Sequence, residues 1–547
     1  ANAERLHTSL AVDLPLVQIG RTLSGRAALR HRAVLLATDH PALDRALADF
    51  GATDALPSEV LHGEAHRAAL AIVFTGQGAQ RVGMGRELYE TFLVFASAFD
   101  DASAALNLPL REVLDDESRL HQTGWAQPAI FAVEVALLAL VRSWGVTPDI
   151  VAGHSIGEIT AAYAAGVLSL ADAVALVAAR GRLMQALPSG GAMMAVGASE
   201  AEVREAFPDI DLAAVNGPAA VVLSGDETDM EQIMLLAQER GWKINRLRTS
   251  HAFHSRLMEP MLAEFRTVVE TLTFGEPTLP AVSTVTGRPV EPGQWSDPDY
   301  WVDQARQPVR FADAVTALDA ARVLELGPDA VLTALIQDSR PELTTVTALR
   351  RDRPETHTLL TALGTLFVEG QNVDWSAMLG DGPRADLSTY AFQHRRYWPR
   401  PGTGPTSDAA GLGLAGTGHP LIGAAVELPS GDSVFTGRLS VRTHPWLRDH
   451  SVTDRTVVPG TALVEMVLAA GDQVGLPVLD ELVLQTPLAL GDQGAVQVRV
   501  TLAAPDAGRS VVTMHSRPEE DDAWVLNASG LLTSDAEPLK GTAALSA

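Results

Sequence analysis

Residues 149–158 read DIVAGHSIGE, and this stretch decides the fold. Ile150, Val151 and Ala152 make a short apolar run that ends at Gly153. ITAAYAAGVL follows, with the composition of a buried helix. Between them, Gly153-His154-Ser155-Ile156-Gly157 is a G-x-S-x-G pattern. Strand, sharp turn and helix in that order put the serine on a strained elbow with its hydroxyl exposed. The elbow also aims the next backbone N–H, that of Ile156, at an oxyanion beside Ser155. Glycine is wanted on both sides because the backbone there is crowded.

Upstream, residues 69–74 (ALAIVF) read as a buried strand running into the glycine-rich loop TGQGAQ. A phosphate-cradling loop needs Lys-Ser or Lys-Thr after its glycines, and Arg81-Val82 follow instead. The loop is therefore read as a second oxyanion donor rather than a nucleotide site. Residues 125–144 carry apolar side chains at helical spacing and read as a largely buried helix. Downstream, residues 192–247 change rhythm to strand, helix, strand, strand, helix, strand, the order of a ferredoxin-like unit inserted in the larger α/β domain. His251-Ala252-Phe253-His254 follows it, and residues 322–327 (RVLELG) read as a further buried strand. A histidine downstream of an elbow serine is the expected general base. Neither H-E-x-x-H nor a carboxylate cluster accompanies the pair, so no metal site is expected.

The chain has 547 residues, enough for three to four domains at about 150 residues each. Hydrophobic residues make up 46% and charged residues 20%, which is a folding composition rather than a disordered one. With 41 Lys and Arg against 67 Asp and Glu, the net charge is −26, a poor field for nucleic acid. There is no cysteine, which removes thiolate nucleophiles, disulfides and thiolate metal sites. No window of about 18 consecutive apolar residues occurs, so no membrane span is expected. The first twenty residues do not read as a signal peptide, and a cytoplasmic location is expected. The chain does not begin with Met and is expected to be a piece of a longer protein.

Residues 399–419 are rich in Pro, Gly, Ser and Thr, as a linker is. Beyond them Val496, Val498, Val500 and Leu502 alternate with polar residues, the pattern of a half-solvated antiparallel strand. One apolar helix, residues 461–470, is launched by Pro459-Gly460. A sheet wrapped on one helix is an α+β architecture.

GQGAQ, GHSIGE, a downstream Arg, HAFHS and YAFQHRRYW occur in an order and spacing that resembles the malonyl-CoA:acyl carrier protein transacylases, in the form built into modular type I polyketide synthases. The resemblance covers roughly residues 20–400. It implies a hydrolase-like parallel-sheet α/β core with the ferredoxin-like insert, followed by an α+β hot-dog region. The segments it implies are a ketosynthase-to-acyltransferase linker (1–68), the acyltransferase (69–375), a further linker (376–418) and half of a dehydratase (419–547). It implies roles for matching positions. Ser155 is the acyl nucleophile and His254 the base. The Gln77 and Ile156 N–H groups form the oxyanion hole. Arg180, 25 residues after Ser155, grips the substrate carboxylate, for which a guanidinium fork is suited. His251 and Phe253 line the pocket, and a carbonyl near Gln304 orients the base. Malonyl-CoA is the implied donor and the phosphopantetheine of an acyl carrier protein the acceptor, with no tightly bound cofactor. The ketosynthase and other domains of the same synthase are implied partners.

His-Ala-Phe-His at 251–254 is the form associated in that family with malonyl selection, and Phe253 would fill the space of an α-methyl group. One methyl is worth only about 1–3 kcal/mol in an apolar pocket. Further on, HPWLRDHSVTDRTVVPGTA resembles the start of a polyketide synthase dehydratase, whose pattern H-x-x-x-G-x-x-x-x-P is met by His450 and Pro459. Asp454 stands at the glycine position, where a tight turn is expected to suffer. His450 would be the dehydratase base, and without a partner Asp from a second hot-dog this region is expected to be inactive as it stands. Two other readings compete. A serine esterase would carry an HGGG-like loop ahead of the elbow, which is missing. A non-catalytic scaffold would not need the Ser, His and Arg set.

Overall fold

The computed structural model describes residues 2–10, 14–52, 60–247, 249, 251–391, 409–491 and 494–535. The chain falls into two compact units, Ala1–Phe392 and Gln393–Ala547.

The core of the first unit is a six-stranded sheet in the spatial order Arg288–Pro289, Ala281–Ser283, Ile150–Gly153, Leu70–Phe74, Arg322–Leu326, Thr344–Thr347. All neighbours are parallel except the antiparallel edge pair at Arg288–Pro289. Leu70–Phe74, Ile150–Gly153 and Arg322–Leu326 are buried along their whole length, as strands covered on both faces must be. Phe74 pairs with Gly153 on one side and Leu326 on the other. Parallel strands in that register release their following loops at one edge. The TGQGAQ loop and the GHSIGE elbow therefore emerge side by side.

The helix Thr123–Ser143 is buried over most of its length against the helices Leu93–Leu106 and Leu170–Gln185. Among the described residues it is the one helix long and apolar enough to cross a bilayer, and here it lies in the protein core.

The insert forms as its rhythm suggests. Its strands Gly191–Val196, Asp211–Gly217, Ala220–Asp226 and Ile244–Arg246 make an antiparallel sheet in the order second, third, first, fourth, the ferredoxin-like order. Its two helices, Glu200–Ala206 and Glu227–Arg240, both start in capping boxes, Ser199 with Glu202 and Asp226 with Asp229. KINRLR contributes only three paired residues, all exposed.

Near the N-terminus, His31–Leu35 and Val60–Glu64 pair as an antiparallel ribbon covered by the helix Glu355–Glu369. The segment after Trp375–Leu379 runs back along the helix Leu16–Ser24. Arg21 Nε donates to the Gly380 carbonyl at 3.0 Å and Thr22 Oγ1 to the Ala385 carbonyl at 2.8 Å. Of YAFQHRRYW only Tyr390 and Ala391 are described; the rest of that motif, and most of the 399–419 linker, lie outside the described residues.

In the second unit, seven antiparallel strands wrap one helix, Gly460–Gln473, which follows Pro459 as expected. Met466, Val467 and Ala470 bury against Val498, Val500, Val512 and Met514. Val496–Leu502 alternates between buried and solvent-facing residues, as its sequence does. This is the hot-dog arrangement. The turn at Asp454 is intact, contrary to expectation. Ser451–Val452 pairs with Arg455–Val457, and Thr453 and Asp454 take φ of 46° and 60° between them. A two-residue turn with both φ positive matches strand twist, and Asp is among the L-residues that enter this region most easily.

Candidate active site

The elbow is built from close approaches. A Cβ on Gly157 would stand 2.4 Å from the Thr75 carbonyl oxygen and 2.5 Å from that of Phe74. A Cβ on Gly153 would stand 2.0 Å from the Gly157 carbonyl oxygen. The strand and the helix can meet this closely only with glycine at both positions. Ser155 itself has φ 53°, a left-handed conformation that an L-residue holds only when its surroundings fix it. Gln304 is one of those surroundings: its Nε2 donates to the Ser155 carbonyl at 2.6 Å.

Ser155 Oγ lies 2.8 Å from His254 Nε2. His254 Nδ1 lies 2.8 Å from the Gln307 carbonyl oxygen. A carbonyl only accepts, so Nδ1 carries the proton and Nε2 presents its lone pair to the serine. His254 is 4% exposed. Burial, and after it the positive charge of Arg180, pushes its pKa down to about 3.

The base-orienting group differs from the expectation. It is the carbonyl of Gln307, not a group at Gln304. The helix Pro298–Arg306 ends one residue before Gln307, which turns to an extended conformation and points its carbonyl away from the helix. Gln304 lies inside the helix, and its side chain serves the elbow instead.

Arg180 lies on the helix Leu170–Gln185 and is 2% exposed. Its Nη2 donates to Ser155 Oγ at 3.2 Å. Its Nε has no hydrogen-bond partner among the described residues, and no carboxylate there lies within ion-pair distance of it. Burial lowers its pKa to about 10, which leaves it charged at neutral pH. Glu158 acts on it only at longer range, so a buried guanidinium beside Ser155 Oγ is left able to pair with a carboxylate brought by a ligand.

The other sequence candidates fall around this centre. No protein acceptor takes the Gln77 or Ile156 backbone N–H among the described residues, so both are free to donate to a ligand. His251 Nε2 bonds the Leu187 carbonyl at 3.1 Å, and Phe253 is buried in the main core with its ring 6.2 Å from that of His251. His450 belongs to the second unit. Its ring is exposed, with Nδ1 2.7 Å from the Val457 carbonyl oxygen, so its Nε2 carries the lone pair.

Several contributors were not picked out in the sequence. His154 bonds Asn216 of the insert, 2.9 Å between Nε2 and Oδ1. Glu158 accepts from Tyr300 Oη and from the Thr284 N–H at 2.9 Å. Glu134 accepts from the Thr75 N–H and hydroxyl, both at 2.8 Å, and from the Thr160 hydroxyl at 2.6 Å. It thereby ties the strand end before GQGAQ to the helix after Ser155. A Glu in the middle of an apolar helix was the available signal for Glu134; the final Glu of GHSIGE was that for Glu158.

Residues 71–373 match the acyl transferase domain family, and residues 419–517 match the polyketide synthase dehydratase domain family. Over 543 residues the chain is 47% identical to mycoketide-CoA synthase of Mycobacterium tuberculosis, covering 96% of this chain and 13% of that protein. Over 571 residues it is 47% identical to the polyketide synthase GfsA of Streptomyces halstedii, covering 98% of this chain and 8% of that one. The chain thus spans a small fraction of these relatives. Among solved structures it resembles the acyltransferase domain from the second module of the salinomycin polyketide synthase, with TM-score 0.62 and 49% identity over 66% of this chain and 88% of that one. FabD from Acinetobacter baumannii is matched with TM-score 0.51 and 32% identity, over 54% of this chain and 99% of that one.

Proposed function

The chain belongs to the modular type I polyketide synthases, with an acyltransferase domain and the N-terminal segment of a dehydratase, and on that premise we propose that it moves a malonyl unit from malonyl-CoA, through an ester on Ser155, to the phosphopantetheine thiol of an acyl carrier protein. The observation that carries the malonyl reading is Arg180, a buried cation 3.2 Å from Ser155 Oγ with no carboxylate within ion-pair distance among the described residues. The free carboxylate of a malonyl group completes it.

Ser155 Oγ attacks the thioester carbonyl as its proton passes to His254 Nε2. The N–H groups of Gln77 and Ile156 hold the oxyanion; one such donor is worth about 3 kcal/mol in comparable sites. The C–S bond then breaks, and the proton on His254 leaves with the CoA thiolate. The carrier thiol enters by the reverse path: it gives its proton to His254, attacks the ester carbonyl, and Ser155 departs with that proton. This is two-step covalent transfer. The Gln307 carbonyl steadies the imidazolium without a second buried charge. The malonyl carboxylate also offsets the Arg180 charge that disfavours protonation of His254, so donor binding raises the basicity of the base. Phe253, buried one residue before His254, disfavours an α-methyl branch. In the second unit, His450 is the base that removes the α-proton of a β-hydroxyacyl thioester, paired in the longer protein with an acid from a second hot-dog. The location we infer is cytoplasmic.

The test is transfer to a phosphopantetheinylated carrier protein, followed by intact mass. The reading requires one malonyl per carrier for each CoA released. Free malonate and unloaded carrier would instead make the protein a thioester hydrolase.

A further inference from the structure

Asp211 opens the first residue of the insert's strand Asp211–Gly217, and its side chain is 17% exposed. Its two oxygens reach two different segments. Oδ2 accepts from the backbone N–H of Arg256 at 2.9 Å and from Arg256 Nη1 at 3.3 Å. Oδ1 pairs with Arg306 Nη2 at 3.1 Å. Arg256 lies two residues after His254, and Arg306 lies one residue before Gln307. One carboxylate therefore joins the segment that carries the base to the segment whose carbonyl orients it.

The joint is needed where it stands. His254 has φ 55°, a left-handed conformation that an L-residue holds only when its neighbours fix it. On the near side Ser255 Oγ donates to the Ala252 carbonyl at 2.6 Å; on the far side Asp211 fixes the next N–H. The Gln307 side is zipped to the same strand: the Val309 N–H donates to the Ala213 carbonyl and the Val215 N–H to the Val309 carbonyl, both at 2.9 Å.

We propose that Asp211 is a positioning residue for the base: from the insert, it sets the His254–Gln307 geometry that a triad carboxylate sets by direct contact in a serine hydrolase. This rests on the Ser155–His254 chemistry proposed above. It gives the insert a task in the transfer step itself.

The test compares single-turnover malonylation of Ser155, KM for malonyl-CoA and thermal melting in the full chain for wild type, Asp211→Asn, Arg306→Gln and Asp229→Asn. Asp229 is the control. It pairs with the same Arg256 side chain at 2.9 Å and completes the capping box of an insert helix by accepting from the Asp226 N–H, but touches neither the Arg256 N–H nor Arg306. The expected result is acylation slowed at least tenfold in Asp211→Asn, with KM within twofold of wild type. Arg306→Gln, which removes the Gln307 arm together with the longer Arg306–Glu259 contact at 3.4 Å, is slowed less and melts close to wild type. Asp229→Asn lowers the melting temperature yet acylates at the wild-type rate. Asp211→Asn acylating like wild type would overturn the inference, as would equal slowing in Asp211→Asn and Asp229→Asn. Should Asp211→Asn not fold, Arg306→Gln alone decides: an unchanged acylation rate overturns the inference. Wild type that forms no Ser155 ester would sink the transferase reading instead.

Discussion

Arg180 Nη2 donates to Ser155 Oγ across 3.2 Å, so the cation proposed to hold the substrate carboxylate touches the proposed nucleophile directly. With Arg180 as donor, the Ser155 hydroxyl proton is left to point at His254 Nε2, 2.8 Å away. In the proposed mechanism the same contact aims the serine proton at the base and marks where the acid end of the substrate would lie.

Arg180→Ala should cost malonyl loading about 3–4 kcal/mol, on the order of 10²–10³ in kcat/KM, as for truncation of one partner of a buried charge pair. Loading from acetyl-CoA, which has no carboxylate to lose, should change far less. Parallel initial rates with the two donors check this. Equal losses for both would assign Arg180 to the integrity of the fold.

The pH dependence follows from His254. Burial and the Arg180 charge hold its pKa at about 3, so the ring is already in its neutral, proton-accepting form well below neutrality. kcat/KM for loading should therefore show no acid limb at the ordinary histidine value. Arg180→Gln removes a like charge and should move the His254 titration upward. Histidine ring resonances followed by NMR against pH read both shifts directly.

Glu134 makes stability pH-dependent. Burial raises its pKa from 4.5 to about 8, against the pull of its bonds from Thr160 and Thr75. A carboxyl raised on folding stabilises fully below its unfolded pKa, and that contribution is lost as pH rises through about 8. Glu134→Gln removes the titration. The difference in urea midpoint between wild type and this variant should shift against wild type from about pH 5 to about pH 8 and then level off. A constant difference would contradict the assignment.

Gly157→Ala should destabilise by about 3 kcal/mol, since the added carbon meets backbone that cannot swing aside. Gly197→Ala is the matched control. Its nearest contact would be the Lys243 carbonyl oxygen at 3.4 Å, and its effect should stay within about 0.5 kcal/mol. Urea unfolding of the two variants separates them.

What the sequence discloses and what it hides divide along physical lines. The elbow, the GQGAQ loop and the insert were legible because each rests on local pattern: apolar runs, glycines at tight turns, and alternating rhythm closed by Ser199 and Asp226 caps. The identity of the orienting carbonyl was not. Every residue has a carbonyl, and only the point where the Pro298–Arg306 helix stops selects that of Gln307. Asp211 and Asn216 were equally silent, since each acts on residues far away in sequence. At Asp454 the family pattern misled. The turn wants positive φ rather than glycine as such, and Asp supplies it at φ 60°.

The most direct measurement is intact mass of the protein after brief exposure to malonyl-CoA and, separately, to methylmalonyl-CoA, beside Ser155→Ala. The expected result is a single malonyl adduct that forms faster than the methylmalonyl one and is absent from Ser155→Ala. An adduct that survives in Ser155→Ala, or CoA released with no adduct at any time, would contradict transfer through a Ser155 ester.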